Sequence, residues 1–351
     1  MQRILFIALA ALAVLILAGI AVSGMWLRSE LKTPYYGNET GETYVEIPRE
    51  ANTNEVADLL VKMKILHNRL PFIVYLRYTK TGRHIQAGEY RFSGPATPVQ
   101  VARRLIRGDV YFRAVTIPEG LTAQETVELL AKAGLGNPAE LKAALLKTEW
   151  IHDLDPKARS LEGYLFPETY RFGRKTDSES IVRIMVDQFR VRLAKILAQS
   201  PMRAGWNVSE IVILASMIEK EVKRPEEGPL VASVLVNRLE RGIPLACDAT
   251  IIYALKLAGG YNGHLRKADL GIQSPYNSYL HLRLPPGPIA NPGEGSLRAA
   301  LNPSKTDFFY YVSRNDGTHQ FSRDFRSHAR AVEKFQKPLA RRQSFHPKSE
   351  K

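Results

Sequence analysis

Residues 4–27 carry no charged side chain and almost no polar one, with Arg3 before the run and Arg28 after it. As a helix rising about 1.5 Å per residue, such a run is long enough to cross a hydrocarbon core of about 30 Å. In lipid every backbone N–H and C=O must be bonded within the segment, which leaves a helix as the one structure open to a single run of this kind. The segment therefore reads as a single-pass membrane anchor or an uncleaved signal. A cleavable signal peptide is the competing reading, because residues 18–23 include small side chains. Against it, the apolar run exceeds the usual h-region of about 7–15 residues and has no clean Ala-x-Ala end. No Cys lies there, which excludes a lipoprotein signal. With a head of only residues 1–3, an inside N-terminus and an exported bulk are expected.

The remainder is long enough for more than one core: 351 residues in all, 45% of them hydrophobic. The excess of 49 Lys and Arg over 35 Asp and Glu gives a formal charge of +14. That suits an anionic partner, such as a membrane surface or an acidic polymer. Nucleic acid is the weaker choice, since no zinc-finger, RNP or helix-turn-helix signature is present. Cys247 is the single cysteine, so an intrachain disulfide is excluded and the redox compartment is not legible. With one Cys, scattered His and no His-Glu-x-x-His, no structural zinc or other metal and no cofactor is expected.

One phrase recurs along the chain: a short strand, a polar turn and a helix capped by Thr or Asn. It occurs at Tyr44-Val-Glu-Ile-Pro48 before Thr53-Asn-Glu-Val, and at Gly88-Glu-Tyr-Arg-Phe before Thr97-Pro-Val-Gln. It returns at Arg113-Ala-Val-Thr-Ile-Pro118-Glu-Gly-Leu-Thr122. Small β-α modules of the LysM kind are built this way, and structural duplication without ligand binding is the alternative. Residues 28–42 are polar and turn-rich, as a linker is. Further on, 229–241 reads as a helix with proline in its first turn and Gly242 at its stop. Residues 274–293 form a long Pro/Gly segment without period, and loops of that kind are more often functional than average. A hairpin is expected from strands at 307–313 and 319–322 around Asn315-Asp-Gly317, with a helix from about residue 324.

The stretch Ile211-Val-Ile-Leu-Ala-Ser-Met-Ile-Glu219-Lys-Glu221 is an apolar helix ending in carboxylates. Asn207 and Glu210 form the signature of a capping box, and Pro225 ends whatever remains. On the helical period Val212, Ala215, Ser216 and Glu219 share a face, with Glu221 roughly 160° away. Glu219 is thus the candidate for the buried side. Partial desolvation raises a carboxyl's pKa and lets it carry a proton at neutral pH, as a general acid must. Beside Lys220 and Lys223, a solvated or salt-bridged glutamate is the plainer reading of that residue alone.

Taken together, several stretches resemble the endolytic murein transglycosylases, the YceG-like (MltG) family. They are Leu161-Glu-Gly-Tyr-Leu-Phe-Pro-Glu-Thr-Tyr170, Leu214-Ala-Ser-Met-Ile-Glu219-Lys-Glu221, Val231-Ala-Ser-Val-Leu-Val-Asn237-Arg-Leu, Asp248-Ala-Thr-Ile-Ile-Tyr253, Ser274-Pro-Tyr-Asn-Ser-Tyr279, Leu284-Pro-Pro-Gly-Pro-Ile289 and Gly317-Thr-His319. Each is weak alone, and their order and joint presence are specific. The chain departs from the family pattern at Arg283, where Gly is common, and at Ala246, where Gln is frequent.

The resemblance implies an α+β fold with a transmembrane helix at 4–27, a LysM-like module over 43–110, a catalytic domain over 111–335 and a basic tail over 336–351. It implies cleavage of the MurNAc-β-1,4-GlcNAc bond within peptidoglycan strands, with a 1,6-anhydro end formed and Glu219 as the catalytic residue. One carboxylate then suffices where most glycosidases need two. Glu219 protonates the leaving oxygen and then takes a proton from the substrate's C6 hydroxyl. Asp248, Glu162 and Glu168 are candidates to stabilise an oxocarbenium-like centre or to orient sugars, and equally to organise loops or cap helices. Ser216 suits a hydrogen bond to Glu219 or close packing, and Asn237 suits an acetamido group or a helix surface. Tyr276, Asn277 and Tyr279 suit sugar contacts or structural packing. The implied partners are glycan strands, penicillin-binding synthases and the membrane. A muramidase using Asp248 to activate water, and a glycan-binding scaffold, are the alternatives.

Overall fold

The computed structural model describes residues 2–35, 37 and 41–336; most of the expected basic tail and part of the expected linker lie outside them. The chain divides into two units, Met1–Arg113 and Ala114–Lys351. The first begins with helix α1 (Gln2–Lys32), which continues through the first residues of the expected linker. Large apolar side chains along it, Leu12, Leu15 and Leu17 among them, stand exposed, and Leu9–Lys32 is long and apolar enough to cross a membrane. Just beyond it the Tyr35 N–H bonds the Ala96 carbonyl at 3.1 Å.

After α1 the order is β1 (Glu42–Ile47), α2 (Thr53–Lys62), α3 (Arg69–Tyr78), β2 (Gly88–Ser93) and α4 (Pro98–Arg107). The two strands pair antiparallel with Val45 opposite Tyr90. Alternation turns Val45 and Ile47 inward, onto a core of Val56, Leu60, Phe72, Leu76, Tyr90, Phe92, Val101 and Leu105. Local chemistry starts the helices: Asn52 with Glu55 and Thr97 with Gln100 each form a reciprocal capping box.

In the second unit, β3 (Arg113–Thr116) pairs with β4 (Thr169–Phe172), flanking α5 (Ala123–Lys132) and α6 (Pro138–Ala144). Thr122 and Glu125 cap α5, repeating the device of the first unit. Three helices follow: α7 (Ser178–Gln199), α8 (Val208–Glu221) and α9 (Gly228–Glu240). Then come α10 (Asp248–Leu257), α11 (Glu294–Leu301), a hairpin of β5 (Tyr310–Ser313) and β6 (His319–Ser322), and α12 (Phe325–Phe335). Helix α8 packs against α9, α10 and α11. Its residues 211–218 are all buried, so it is a core helix on every face.

The fold class is mixed α and β, with an apolar N-terminal helix. Strand β5 starts later than the pattern suggests. The carbonyls of Thr306 and Phe308 are taken by the Asn237 amide and that of Phe309 by Arg238, so this stretch is anchored to α9 by side chains. Residues 272–293 contain neither helix nor strand. They wrap the ends of α8 and α10, the Gly293 N–H bonding Glu219 and Ser278 Oγ accepting the Cys247 N–H.

Candidate active site

Glu219 stands where α8 leaves the core. The helix is started by the expected capping box, Asn207 with Glu210, at 2.9 Å in each direction. Eight buried residues carry it through the core to the half-buried Glu219. The Gly293 N–H donates to Glu219 Oε2 at 3.0 Å. Oε1 has no hydrogen-bond partner among the described residues. Next to it, Lys220 is tied down by donating its Nζ to the Gly120 carbonyl at 2.8 Å.

The helix-face expectation that set Glu219 inward and Glu221 outward does not describe this end of α8. Because the helix is buried all round, Glu221 also turns into protein, where the Cys247 thiol donates to its Oε1 at 2.9 Å. Burial pushes the Glu221 carboxyl above its ordinary range, and the nearby Asp248 charge adds to this. The same surroundings push the Cys247 thiol and the Tyr311 hydroxyl up. Beside this group His319 Nδ1 lies 2.6 Å from Glu227 Oε2. Glu221 is therefore locked in a structural network, and Glu219 is the glutamate of the pair left open.

Beside Gly293, the residue that holds Glu219, lies a carboxylate that the sequence did not single out, Glu119. It belongs to the turn Pro118-Glu119-Gly120 after β3, and Gly120 takes a positive φ of 76°. A Cβ on Gly120 would come to 3.5 Å from Glu219 Cγ, and one on Gly293 would fall 2.0 Å from Glu119 Oε1. The missing Cβ at Gly293 thus leaves room for the Glu119 carboxylate, whereas Gly120 is called for by its left-handed φ, a Cβ there meeting Glu219 only at ordinary contact distance. Partial burial, and then the Glu219 charge, raise the Glu119 carboxyl above its ordinary value. The sequence signal for it was the Ile-Pro-Glu-Gly turn, read only as part of a repeated phrase.

Asn291 holds the loops in place. Fully buried, its Oδ1 accepts the Gly163 and Leu165 N–H groups at 2.9 and 3.1 Å, and its Nδ2 donates to the Leu121 carbonyl at 3.0 Å. Its backbone bonds Leu121 and Gly120 as well. Ser216, also fully buried, accepts the Ile289 N–H at 3.0 Å rather than bonding Glu219. One asparagine and one serine thereby pin loops 118–122, 161–165 and 288–293 to each other and to α8.

The other expected residues divide between the site and the scaffold. Asn237 spends its amide on the Thr306 and Phe308 carbonyls, and Asn277 gives its own to the Leu270 and Ile272 carbonyls. Both are loop organisers without a free donor there. Glu168 pairs with Arg192 at 2.9 Å and accepts from Gln188 at 2.5 Å. Glu162 is buried, accepting the Ala123 N–H at 2.9 Å at the start of α5, with the Tyr253 hydroxyl 3.2 Å from Oε2. Burial pushes its carboxyl up to about 8. Tyr253 packs on Tyr276 with ring centres 4.9 Å apart. Asp248, exposed in the first turn of α10, accepts the Tyr279 hydroxyl at 2.5 Å. A cavity of about 470 Å³ beside α5 and α10 is lined by Thr122, Glu125, Glu162, Tyr253, Lys256 and Tyr261. Among the described residues no group of His, Cys, Asp and Glu has the makings of a metal site.

Known proteins are similar to this chain over most of its length. An endolytic murein transglycosylase of Bacillus subtilis is 29% identical over 307 residues, 83% of this chain and 84% of the relative. One of Streptococcus pneumoniae is 28% identical over 330 residues, 85% of this chain and 59% of the longer relative. The crystal structure of a YceG-like protein of Listeria monocytogenes superposes with a TM-score of 0.55 at 29% identity, over 83% of this chain and 99% of the other. A sequence model of the YceG-like family matches residues 45–334, which span the candidate site and both units, and the chain belongs to that family.

Proposed function

We propose that this protein is an endolytic murein transglycosylase with Glu219 as its acid and base. Glu219 is presented at the open end of a core helix, with one oxygen held by the Gly293 N–H and the other without a hydrogen-bond partner among the described residues. That single observation, in a chain similar to transglycosylases along most of its length, carries the reading.

In this reading the Glu219 carboxyl donates its proton to the glycosidic oxygen, and the C1–O bond breaks with its electron pair passing to that oxygen. The muramic acid's own C6 hydroxyl closes onto C1 and returns its proton to Glu219. Water is not consumed, and the product carries a 1,6-anhydro end. The buried bonds of Ser216 and Asn291 keep the surrounding loops from shifting, which matters because general acid catalysis requires hydrogen-bond reach of the leaving oxygen. Helix α1 would anchor the chain in the cytoplasmic membrane with its N-terminus inside, and a LysM-like first unit would sit on the exported side. Cutting nascent strands beside penicillin-binding synthases would limit strand length.

The test is mass spectrometry of products from uncrosslinked glycan strands, comparing the native chain with Glu219→Gln. Internal cleavage to anhydro ends, abolished by Glu219→Gln, is the expected result. Reducing muramic acid ends would instead make the protein a hydrolase, and strand binding without cleavage would make it a scaffold.

A further inference from the structure

We infer that Glu119 is a second catalytic carboxylate, which remains ionised and stabilises the positive charge that develops at C1 and the ring oxygen as the glycosidic bond breaks. The inference rests on the reading of Glu219 as the acid and extends it.

Three independent features of the fold converge on Glu119. The first is placement: its carboxylate occupies the space over Gly293, whose N–H holds Glu219, so the two acids flank a single residue. The second is the backbone that brings it there. Gly120 has a left-handed φ and a carbonyl held by Lys220, the neighbour of Glu219, while its N–H bonds the Asn291 carbonyl. The turn is thus tied to the same helix end and the same loop as the acid.

The third feature is availability. Glu119 is exposed and has neither a hydrogen-bond nor an ion-pair partner among the described residues. Glu162, Glu168, Glu221 and Asp248 are each engaged by a named protein donor. A glutamate raised by partial burial and by the charge of another carboxylate gains nothing in stability from that position. Its placement is accounted for by a cationic centre arriving with substrate.

Chemistry supports the division of labour. Glu119 lies within electrostatic reach of Glu219, whose charge adds to partial burial in raising the Glu119 carboxyl. On the reading that Glu219 delivers the proton, an ionised Glu119 supplies the negative charge that an oxocarbenium-like transition state needs. No bond to Glu119 forms or breaks, and it ends each turnover as it began.

The experiment measures kcat, KM and the pH dependence of kcat/KM on glycan strands for the full chain in detergent, with Glu119→Gln, Glu119→Asp and Gly293→Ala. Glu119→Gln is expected to lower kcat about a hundredfold, the scale of losing one preorganised electrostatic group, with little change in KM. Because Glu119 must be ionised, the native rate should fall at acid pH through a pKa above the ordinary glutamate range. That acid limb should be missing in Glu119→Gln. Glu119→Asp should restore part of kcat together with the acid limb.

Gly293→Ala keeps the N–H to Glu219 but places a methyl where the Glu119 carboxylate lies, so it should reproduce the Glu119→Gln defect. Equal cleavage by Glu119→Gln, or a large rate loss with the acid limb unchanged, overturns the inference. Failure of the native chain to cleave at all, or Glu219→Gln that still cleaves, overturns the underlying reading instead.

Discussion

Glu162 shows how far burial moves a single carboxyl in this fold. Its pKa of about 8 lies above the ordinary glutamate value, so the folded state binds a proton that the unfolded chain has already released at neutral pH. Stability from this residue is therefore fully present below about pH 4.5 and is lost as pH rises through about 8. Glu162→Gln keeps an oxygen for the Ala123 N–H and does not titrate, and the Tyr253 hydroxyl can rotate to accept from the amide. Its melting temperature is expected to be flatter than that of the native chain between pH 5 and 8. A native chain whose melting temperature rises over that range relative to the variant would contradict the assignment. The two glutamates of α8 carry the matching lesson for reading sequences. A helix wheel ranks Glu219 and Glu221 by face, but both turn into protein, and only their distant partners, Gly293 for one and Cys247 for the other, separate an open carboxylate from a locked one. Glu119 was illegible for the same reason, since its neighbour is one hundred residues away in the chain.

At the scale of elements, the helix starts were readable and the loops were not. The capping box of α8 and the strand, turn and capped-helix units at β1, β2 and β3 depend on residues within four positions of one another, so the code is local. The hairpin around Asn315-Asp-Gly317 was legible because its turn chemistry is local too. By contrast, loops 118–122, 161–165 and 288–293 acquire their shape from Asn291, which no periodicity marks. Asn291→Ala would leave the Gly163 and Leu165 N–H groups buried without an acceptor. A loss of about 2–4 kcal/mol in stability is expected, measured by urea denaturation of the detergent-solubilised chain. A change below about 0.5 kcal/mol would mean that the three loops are held by other contacts. Asn237, which the sequence offers for an acetamido group or as a helix-surface residue, and Asn277, offered for sugar contacts or packing, give their amides to the carbonyls of residues 306, 308, 270 and 272.

For the whole molecule, α1 and the two cores set the organisation. Each unit encloses its own apolar cluster, one around Leu60, Phe72 and Tyr90, the other around α8 and its neighbouring helices. Apolar side chains of α1 stand exposed among the described residues, so the full chain is expected in the membrane fraction and to resist extraction at alkaline pH. Deletion of residues 2–32 should move it to the supernatant, and a full chain recovered there would remove the proposed anchor. The sequence by itself determined what is encoded in runs and short spacings: an apolar helix long enough for a bilayer, capped helices, a hairpin and a glutamate at the end of a core helix. Burial is a property of a residue's whole surroundings, whereas periodicity reports only its own element. Tertiary structure alone therefore decided which glutamate stayed open, which asparagines became struts, and that Glu119 and Glu219 both come to lie beside Gly293.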